Sequence, residues 1–298
     1  MNSKQLEYAI ELSKSLNFSL VAEKFGISQP ALSKQISNLE KDLDVTLFSR
    51  HKNPIELTAA GEYFFKEAKE LLYKENQLYR SMEDYKNGEK GRLTIGISPF
   101  RSLYLIPKIA KAVKDKFPGV NIVLQEDGSD ALRKNAAEGK YDFAIVNLPV
   151  DESSLDVIPI EQDTLVVAVP KSMDGLVGVT SNDDIPQVDF KNFKNLPFVV
   201  VGQNQEMRIL FEKNCGIASI KPEIAMEVVG LSTAWAMARA GIGATLLPLE
   251  FVKEMNMDNS VSLFIPRCDT NIRQPAIVYR RGQYISDYAK YAIELLKK

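Results

Sequence analysis

The stretch from Asn17 to Leu57, NFSLVAEKFGISQPALSKQISNLEKDLDVTLFSRHKNPIEL, constrains this chain more than any other. It reads as two short helices joined by a tight turn and followed by a small β-hairpin. Gly26 falls just past the apolar run Leu20, Val21 and Phe25, where a helix C-terminus favours a residue tolerant of positive φ. Ser28 is placed to cap the next helix, and Pro30 sits in its first turn, where a missing N–H costs little. Along that helix Leu32, Ile36, Leu39 and Leu43 recur at helical spacing and form one buried stripe. The opposite face carries Gln29, Ser33, Lys34, Gln35 and Asn38, side chains of the kind that read base edges and phosphates in a major groove. Leu47, Phe48 and Arg50 then lead through His51-Lys52-Asn53-Pro54 to Ile55 and Leu57, a two-stranded wing with a basic tip.

The charge pattern sharpens this picture. The whole chain carries a formal net charge of −2, which argues against a large non-specific nucleic-acid surface. Between residues 24 and 52, however, Lys24, Lys34, Lys41, Arg50 and Lys52 outnumber Glu40, Asp42 and Asp44. Basic charge is therefore local, as phosphate clamping by a small module requires. Two such modules acting together are expected to bind, rather than one broadly basic face.

The residues Ser28-Gln29-Pro30-Ala31-Leu32-Ser33, Ile36, Leu39-Glu40, Leu43, Leu47-Phe48, Arg50 and Leu57-Thr58-Ala59-Ala60-Gly61 stand in one register. In that register the segment resembles the winged helix-turn-helix of the LysR-type transcriptional regulators. One departure is visible: Asp44 follows Leu43 where the family usually has glycine. The resemblance implies double-stranded DNA as partner, with groove contacts from Gln29, Ser33 and Lys34. Ser28 and Pro30 open the reading helix, whose N-terminal amides suit a phosphate. Arg50, His51 and Lys52 are expected on the backbone or in the minor groove, with a structural ion pair the alternative for Arg50.

At 298 residues the chain exceeds one core of typical size, so two or three domains are expected. Hydrophobic content of 45% and charged content of 26% are those of a soluble globular protein. No apolar run is long enough to span a membrane, and Met1-Asn2-Ser3-Lys4 does not open an export signal, so the cytoplasm is the expected compartment. Cys215 and Cys268 lack any CxxC spacing or neighbouring histidine, which argues against a metal site and against a structural disulfide. Inert buried thiols are expected there, with a redox-sensing pair the alternative. No cofactor is expected.

Residues 3–16 place Leu6, Ala9, Ile10 and Leu12 on one helical face, a brace for the two helices that follow. From Thr58 to about Lys86 runs one long helical pattern without proline. Phe64, Ala68, Leu71, Leu78, Met82 and Tyr85 recur in it at the period of a coiled coil, with Glu75 interrupting the seam. Pairing with a second copy of the chain is expected along that seam. The family resemblance agrees, and implies further that such dimers pair into tetramers.

Asn87-Gly88-Glu89-Lys90-Gly91 reads as a hinge. Beyond it strands and helices alternate, which predicts α/β lobes built on mostly parallel sheets. Strands are expected at 92–98, 120–126, 143–148, 164–169, 198–201, 224–228, 244–247, 261–265 and 273–279. The organisation expected is therefore a winged module over 1–58, a linker helix and hinge over 59–90, and an effector domain over 91–298. Its first lobe would take about 91–162 and 267–298, and its second about 163–266. Gly91-Arg92-Leu93, Gly139-Lys140-Tyr141-Asp142-Phe143-Ala144-Ile145, Ala240-Gly241-Ile242-Gly243 and Leu247-Pro248 resemble the effector domain of the same family, which shares the fold of type 2 periplasmic solute-binding proteins.

In open α/β sheets ligands lie beyond the carboxyl ends of strands, where helix N-termini point. Ser98 with Phe100 and Arg101, Ser129, Gln203 with Asn204, and Ser232 all fall at such turns, and are expected to face a small-molecule effector. The positions of Ser98, Ser129 and Gln203 match where the family's effector contacts fall. Arg101 would add a charge-assisted pair to a carboxylate, so a small organic acid is expected; a solvent-facing Arg101 is the alternative. RNA polymerase enters as a further candidate partner.

Catalysis finds little support. The one histidine, His51, lies in the wing, far from any Ser-His-Asp or Cys-His arrangement in the α/β half. RAGIGA at 239–244 is not a dinucleotide fingerprint after a first strand. The rival is a metabolic enzyme on the same two-lobe fold, of the prephenate dehydratase kind, using its N-terminal part for dimerisation alone. Such an enzyme has no use for the basic wing Arg50-His51-Lys52.

Overall fold

The computed structural model describes residues 1–49, 55–87, 90–179, 184–255, 259–268 and 272–297. They form two compact units, Met1–Lys86 and Asn87–Lys298. The first holds α1 (Ser3–Ser15), α2 (Phe18–Lys24), α3 (Gln29–Leu43), β1 (Phe48–Ser49), β2 (Glu56–Leu57) and α4 (Ala59–Asn87).

Each short helix starts on a side-chain cap. Asn2 and Gln5 cap α1 reciprocally, Asn17 accepts from the Leu20 N–H at 3.1 Å, and Ser28 accepts from the Ala31 N–H at 3.3 Å. Gly26 takes φ +64° in the turn between α2 and α3. Asp44 closes α3 in the left-handed region at φ +53°, its N–H bonding back to the Glu40 and Lys41 carbonyls. The departure from glycine noted above thus falls at a helix C-cap, where aspartate is tolerated and glycine is easier. Leu32, Ile36 and Leu39 are fully buried and pack with Leu6, Leu12, Leu47, Phe48 and Phe65 in one core. Each such side chain contributes about 1.5–3 kcal/mol.

The wing is tied to α3 by Glu40, whose Oε1 accepts from the backbone N–H of Leu47 at 2.8 Å and of Phe48 at 3.1 Å. Thr58 ties it to α4: its hydroxyl donates to the Thr46 carbonyl at 2.7 Å and accepts from the Gly61 N–H at 2.9 Å. Gly61 then passes so close to the Leu47 carbonyl that a Cβ there would overlap the oxygen. The run Leu57 to Gly61 therefore serves the joint between wing and long helix. The wing tip with Arg50, His51 and Lys52 lies outside the described residues.

Two expectations for α4 need correction. Ala68 belongs to the unit's own core, and Phe64 packs against that core edge-on to Phe65, so neither is a plain seam residue. Glu75 does not merely interrupt the seam; its carboxylate accepts from the Ser3 hydroxyl of α1 at 2.7 Å. Leu71, Leu78 and Met82 are exposed, with Tyr79 beside them. The Tyr85 side chain lies outside the described residues.

The second unit has two lobes. The first contains β3 (Lys90–Ile97), α5 (Pro99–Lys116), β4 (Gly119–Glu126), α6 (Ser129–Ala137), β5 (Phe143–Asn147) and β6 (Leu155–Pro159). The chain crosses on β7 (Asp163–Pro170) into a lobe of β8 (Gln187–Asp189), β9 (Phe198–Val201), α7 (Glu206–Ala218), β10 (Ile224–Val228), α8 (Leu231–Arg239), β11 (Thr245–Pro248), α9 (Leu249–Glu254) and β12 (Val261–Arg267). It returns through β13 (Ile272–Arg273) to β14 (Pro275–Arg280) and α10 (Asp287–Leu296). The segment from Ser172 to Asp189 supplies a 3₁₀ turn over Lys171–Leu176 and the edge strand β8, with residues 180–183 outside the described set.

The sheets are mixed rather than mostly parallel. The first has strand order β4-β3-β5-β14-β6, with β14 antiparallel to both β5 and β6. In the second lobe β7 runs antiparallel to β11 and β12, while β9 and β10 pair in parallel as a separate two-stranded sheet. Periodicity reports which face of a strand is buried, not which way the strand runs, and β6 escaped notice because its pattern is only half-buried. The Gly139–Ile145 run proves architectural. The Asp142 carboxylate accepts the Thr94 N–H at 2.6 Å, and the Gln283 side chain donates to the Tyr141 and Asp142 carbonyls at 2.9 Å.

Replacing Asp44 by glycine is expected to raise stability by up to about 1 kcal/mol through relief of the left-handed cap. Gly61→Ala should lower it by several-fold more, because a backbone oxygen must move. Calorimetric melting of the three proteins checks both signs.

Candidate DNA-reading surface and effector cleft

At the start of α3, Ser28, Gln29, Pro30 and Lys34 are exposed and Ser33 is half-buried. Gln35 leaves that group, because its Oε1 accepts from Gln5 of α1. These candidate residues sit on a helix anchored in the core by Leu32, Ile36 and Leu39.

In the second unit a cavity of about 490 Å³ opens between the lobes. Ser98, Phe100, Ser129 and Asn204 line it, as expected of residues at strand ends. Gln203 and Ser232 are exposed and fall outside the lining; their neighbours Gln205 and Leu231 take those places. Gln205 is held there by donating to the Val229 carbonyl at 2.6 Å.

Four helices begin at this cavity: α5 after Ser98, α6 after Gly128, α7 after Gln205 and α8 after Gly230. None of the four has a side-chain cap on its first amides. Free helical N–H groups carry partial positive charge, so their convergence makes a region suited to an anion. The Ser98 hydroxyl and the Arg133 Nε are buried there without a hydrogen-bond partner among the described residues.

Arg101 does not reach the cavity. It is 2% exposed, its Nη2 donating to Asn147 Oδ1 at 2.9 Å and lying 3.7 Å from Asp163 Oδ2. Its carboxylate partner is the protein's own. Arg273, equally buried, forms a short bond to the same Asp163 oxygen and places Nη1 3.5 Å from Glu206 Oε2. Glu206 in turn accepts from Asn147 Nδ2 at 2.5 Å. Both guanidinium carbons lie within 6 Å of the Phe100 ring centre, at 5.4 Å for Arg101 and 5.8 Å for Arg273. This closed group joins the first lobe (Arg101, Asn147) to the crossovers (Asp163, Arg273) and to α7 of the second (Glu206). Tyr104, half-buried beside it, has its hydroxyl pKa pushed up by burial.

Sequence reasoning missed Arg133, the cavity's own cation, whose Nη2 donates to the Asn147 carbonyl at 3.1 Å and whose Nη1 meets Asp130 at 3.3 Å. Its spacing of four from Ser129 places both on one face of α6, a signal that was available. Asp127, Asp130 and Glu206 were also missed. Among the described residues no group of histidine, cysteine, aspartate and glutamate is arranged to hold a metal ion. No helix among them is long and apolar enough to cross a membrane. Burial pushes the Cys215 thiol up to about 11, so it stays protonated and unreactive at neutral pH.

The model of the bacterial regulatory helix-turn-helix proteins of the LysR family matches residues 3–62, and that of the LysR substrate binding domain matches residues 86–298. The chain belongs to the LysR family of transcriptional regulators. It is 28% identical to the transcriptional regulator YcgK of Bacillus subtilis over 309 aligned positions, covering 100% of this chain and 94% of that protein. It is 29% identical to AlsR of the same organism, covering 87% and 84%. Among solved structures it resembles CbnR in complex with its target DNA, with a TM-score of 0.59 at 20% identity over 99% of both chains. A full-length OxyR variant from Pseudomonas aeruginosa gives 0.66 at 22% identity, over 100% of this chain and 93% of that one. At these identities the solved structures speak to the fold.

Asp163→Ala would leave two buried guanidinium groups short of a counter-ion and should cost about 3–5 kcal/mol. Urea unfolding of the variant measures it, and a loss below about 1 kcal/mol would mean the network contributes little. For the thiols, brief alkylation of the native protein at neutral pH should label half-buried Cys268 well ahead of Cys215, with both labelled after unfolding, as peptide mass spectrometry would read out.

Proposed function

We propose that this regulator reads DNA with Gln29, Ser33 and Lys34 of α3, supported by Ser28, Pro30 and the wing residues Arg50, His51 and Lys52, and that a small organic acid bound in the cleft controls it. The observation that carries the effector reading is the meeting of four uncapped helix N-termini in one cavity, with the Ser98 hydroxyl and Arg133 Nε lacking partners. Ser98, Phe100, Ser129 and Asn204 are the effector contacts we favour from the original set. Arg101 acts below them as a positioning residue, and Gln203 and Ser232 stand outside the lining.

The modules follow as a DNA-reading part over 1–58, a linker over 59–90 and an effector domain over 91–298, with lobes of about 91–162 plus 267–298 and about 163–266. Self-association would use the exposed stripe Leu71, Leu78 and Met82 of α4. The unpaired sheet edges β4 and β10, where Leu124, Ile224 and Met226 are exposed, offer a second surface for a tetramer. A ligand that binds one angle between the lobes better than another shifts that population, and the hinge at 87–91 passes the change to the DNA modules. RNA polymerase is a partner such a regulator would meet on a promoter, in the cytoplasm. No finding favours the rival enzyme reading, and the relatives are named as transcriptional regulators.

Nuclease footprinting upstream of the protein's own gene, with and without a panel of small carboxylates, tests the whole reading. A protected site whose length changes with one acid is the expected result; absence of protection at moderate salt would sink it. In the same assay Gln29→Ala should cost about 1–3 kcal/mol of discrimination at one base pair, whereas Lys52→Ala should weaken binding evenly across sequences.

A further inference from the structure

The charges around the cleft do not balance for a simple carboxylate. Outside the lining, Arg101 pairs with Asp163, and Arg273 pairs with Asp163 and with the lining carboxylate Glu206. Arg133, the lining's own cation, has Nη1 3.3 Å from the exposed Asp130 carboxylate and Nη2 on the Asn147 carbonyl. That leaves Asp127, a half-buried carboxylate in the lining whose one contact among the described residues is the Tyr141 hydroxyl, at 3.3 Å. It has no cation.

Asp127 also sits next to the anion-suited region. Its backbone N–H bonds the Ile97 carbonyl, one residue before Ser98, so the unpaired carboxylate and the unpartnered Ser98 hydroxyl belong to adjacent strand ends. An acid lying across the α5 and α6 N-termini would therefore bring a second negative charge against Asp127. A ligand with an ammonium group beside its carboxylate would neutralise it. The second-lobe side of the lining sets apolar Met207, Ile209, Val229 and Leu231 beside Asn204, Gln205 and Glu206, with Ile209 and Val229 exposed.

We propose that the effector is a free α-amino acid with an apolar side chain, its carboxylate held by the Ser98 hydroxyl, the Phe100 N–H of α5 and the first amides of α6, its ammonium by Asp127. This rests on the reading of the cleft as the effector site. It narrows the ligand from organic acids in general to those that also carry an amine.

Calorimetric titration of the full-length protein with leucine, valine and phenylalanine, each beside its counterpart lacking the amino group (isocaproate, isovalerate, hydrocinnamate), tests it. At least one amino acid should bind roughly tenfold or more tightly than its deaminated partner, the worth of a charge-assisted hydrogen bond. In Asp127→Asn, which keeps the acceptor for Tyr141, that preference should collapse to within about threefold. Ser98→Ala should weaken both members of the pair alike. Equal or tighter binding of the deaminated acids would overturn the amino-acid assignment while leaving the acid-responsive cleft intact. No binding by any of the amino acids, or binding indifferent to both substitutions, would overturn it as well, and the footprint with the wider carboxylate panel would then decide whether the cleft answers to acids at all.

Discussion

Everything in the effector unit hangs on Asp163, a carboxylate buried between Arg101 and Arg273 at the point where the chain leaves the first lobe. Arg101 comes from the helix after the first strand, and Arg273 from the strand by which the chain returns. One acid thus ties the start of the first lobe to both crossovers. Burying three charges is costly unless each is paired, and a buried pair confers specificity of arrangement more readily than stability. Here the arrangement fixed is the angle at which the lobes meet. Asp163 Oδ1 and Arg273 Nε remain without hydrogen-bond partners among the described residues.

That arrangement decides what the cleft can offer. With Arg101 and Arg273 paired inside the protein, an anion in the cleft would meet Arg133 and the backbone amides fixed at helix starts. Such partial charges cost nothing to orient when a ligand arrives. Glu206 occupies a double position, as a wall of the cavity and as counter-ion to Arg273. A ligand that draws on Glu206 acts on the joint between the lobes as well as on the pocket.

The DNA-reading unit was legible because its signals are local. Caps at Asn17 and Ser28, the turn at Gly26 and the Leu32–Ile36–Leu39 stripe are each set within a few residues, and the structure carries all of them. Ala68 misled because a small residue between two helical faces fits either a core or a seam. The effector cleft was half legible. Strand-end turns at Ser98, Ser129 and Asn204 are local signals, whereas the fate of Arg101 depends on Asp163, which is distant in sequence. Strand direction escaped for the same reason: β14 joins β5 from the far end of the chain, and no spacing within either strand encodes it.

The long helix α4 has a consequence for dosage. Its early turns are held by the core through Leu72 and by the Ser3 bond to Glu75. The remaining turns, to Asn87, carry exposed Leu78, Tyr79 and Met82. A helical tail of that length is marginal in water when nothing packs on it. Under the proposed pairing through α4, a lone protomer would fray there, and the full-length helix would belong to the associated state. Folding of the tail, pairing of protomers and engagement of DNA then become linked equilibria, so the steepness with which a promoter responds would depend on how many copies of the protein the cell keeps.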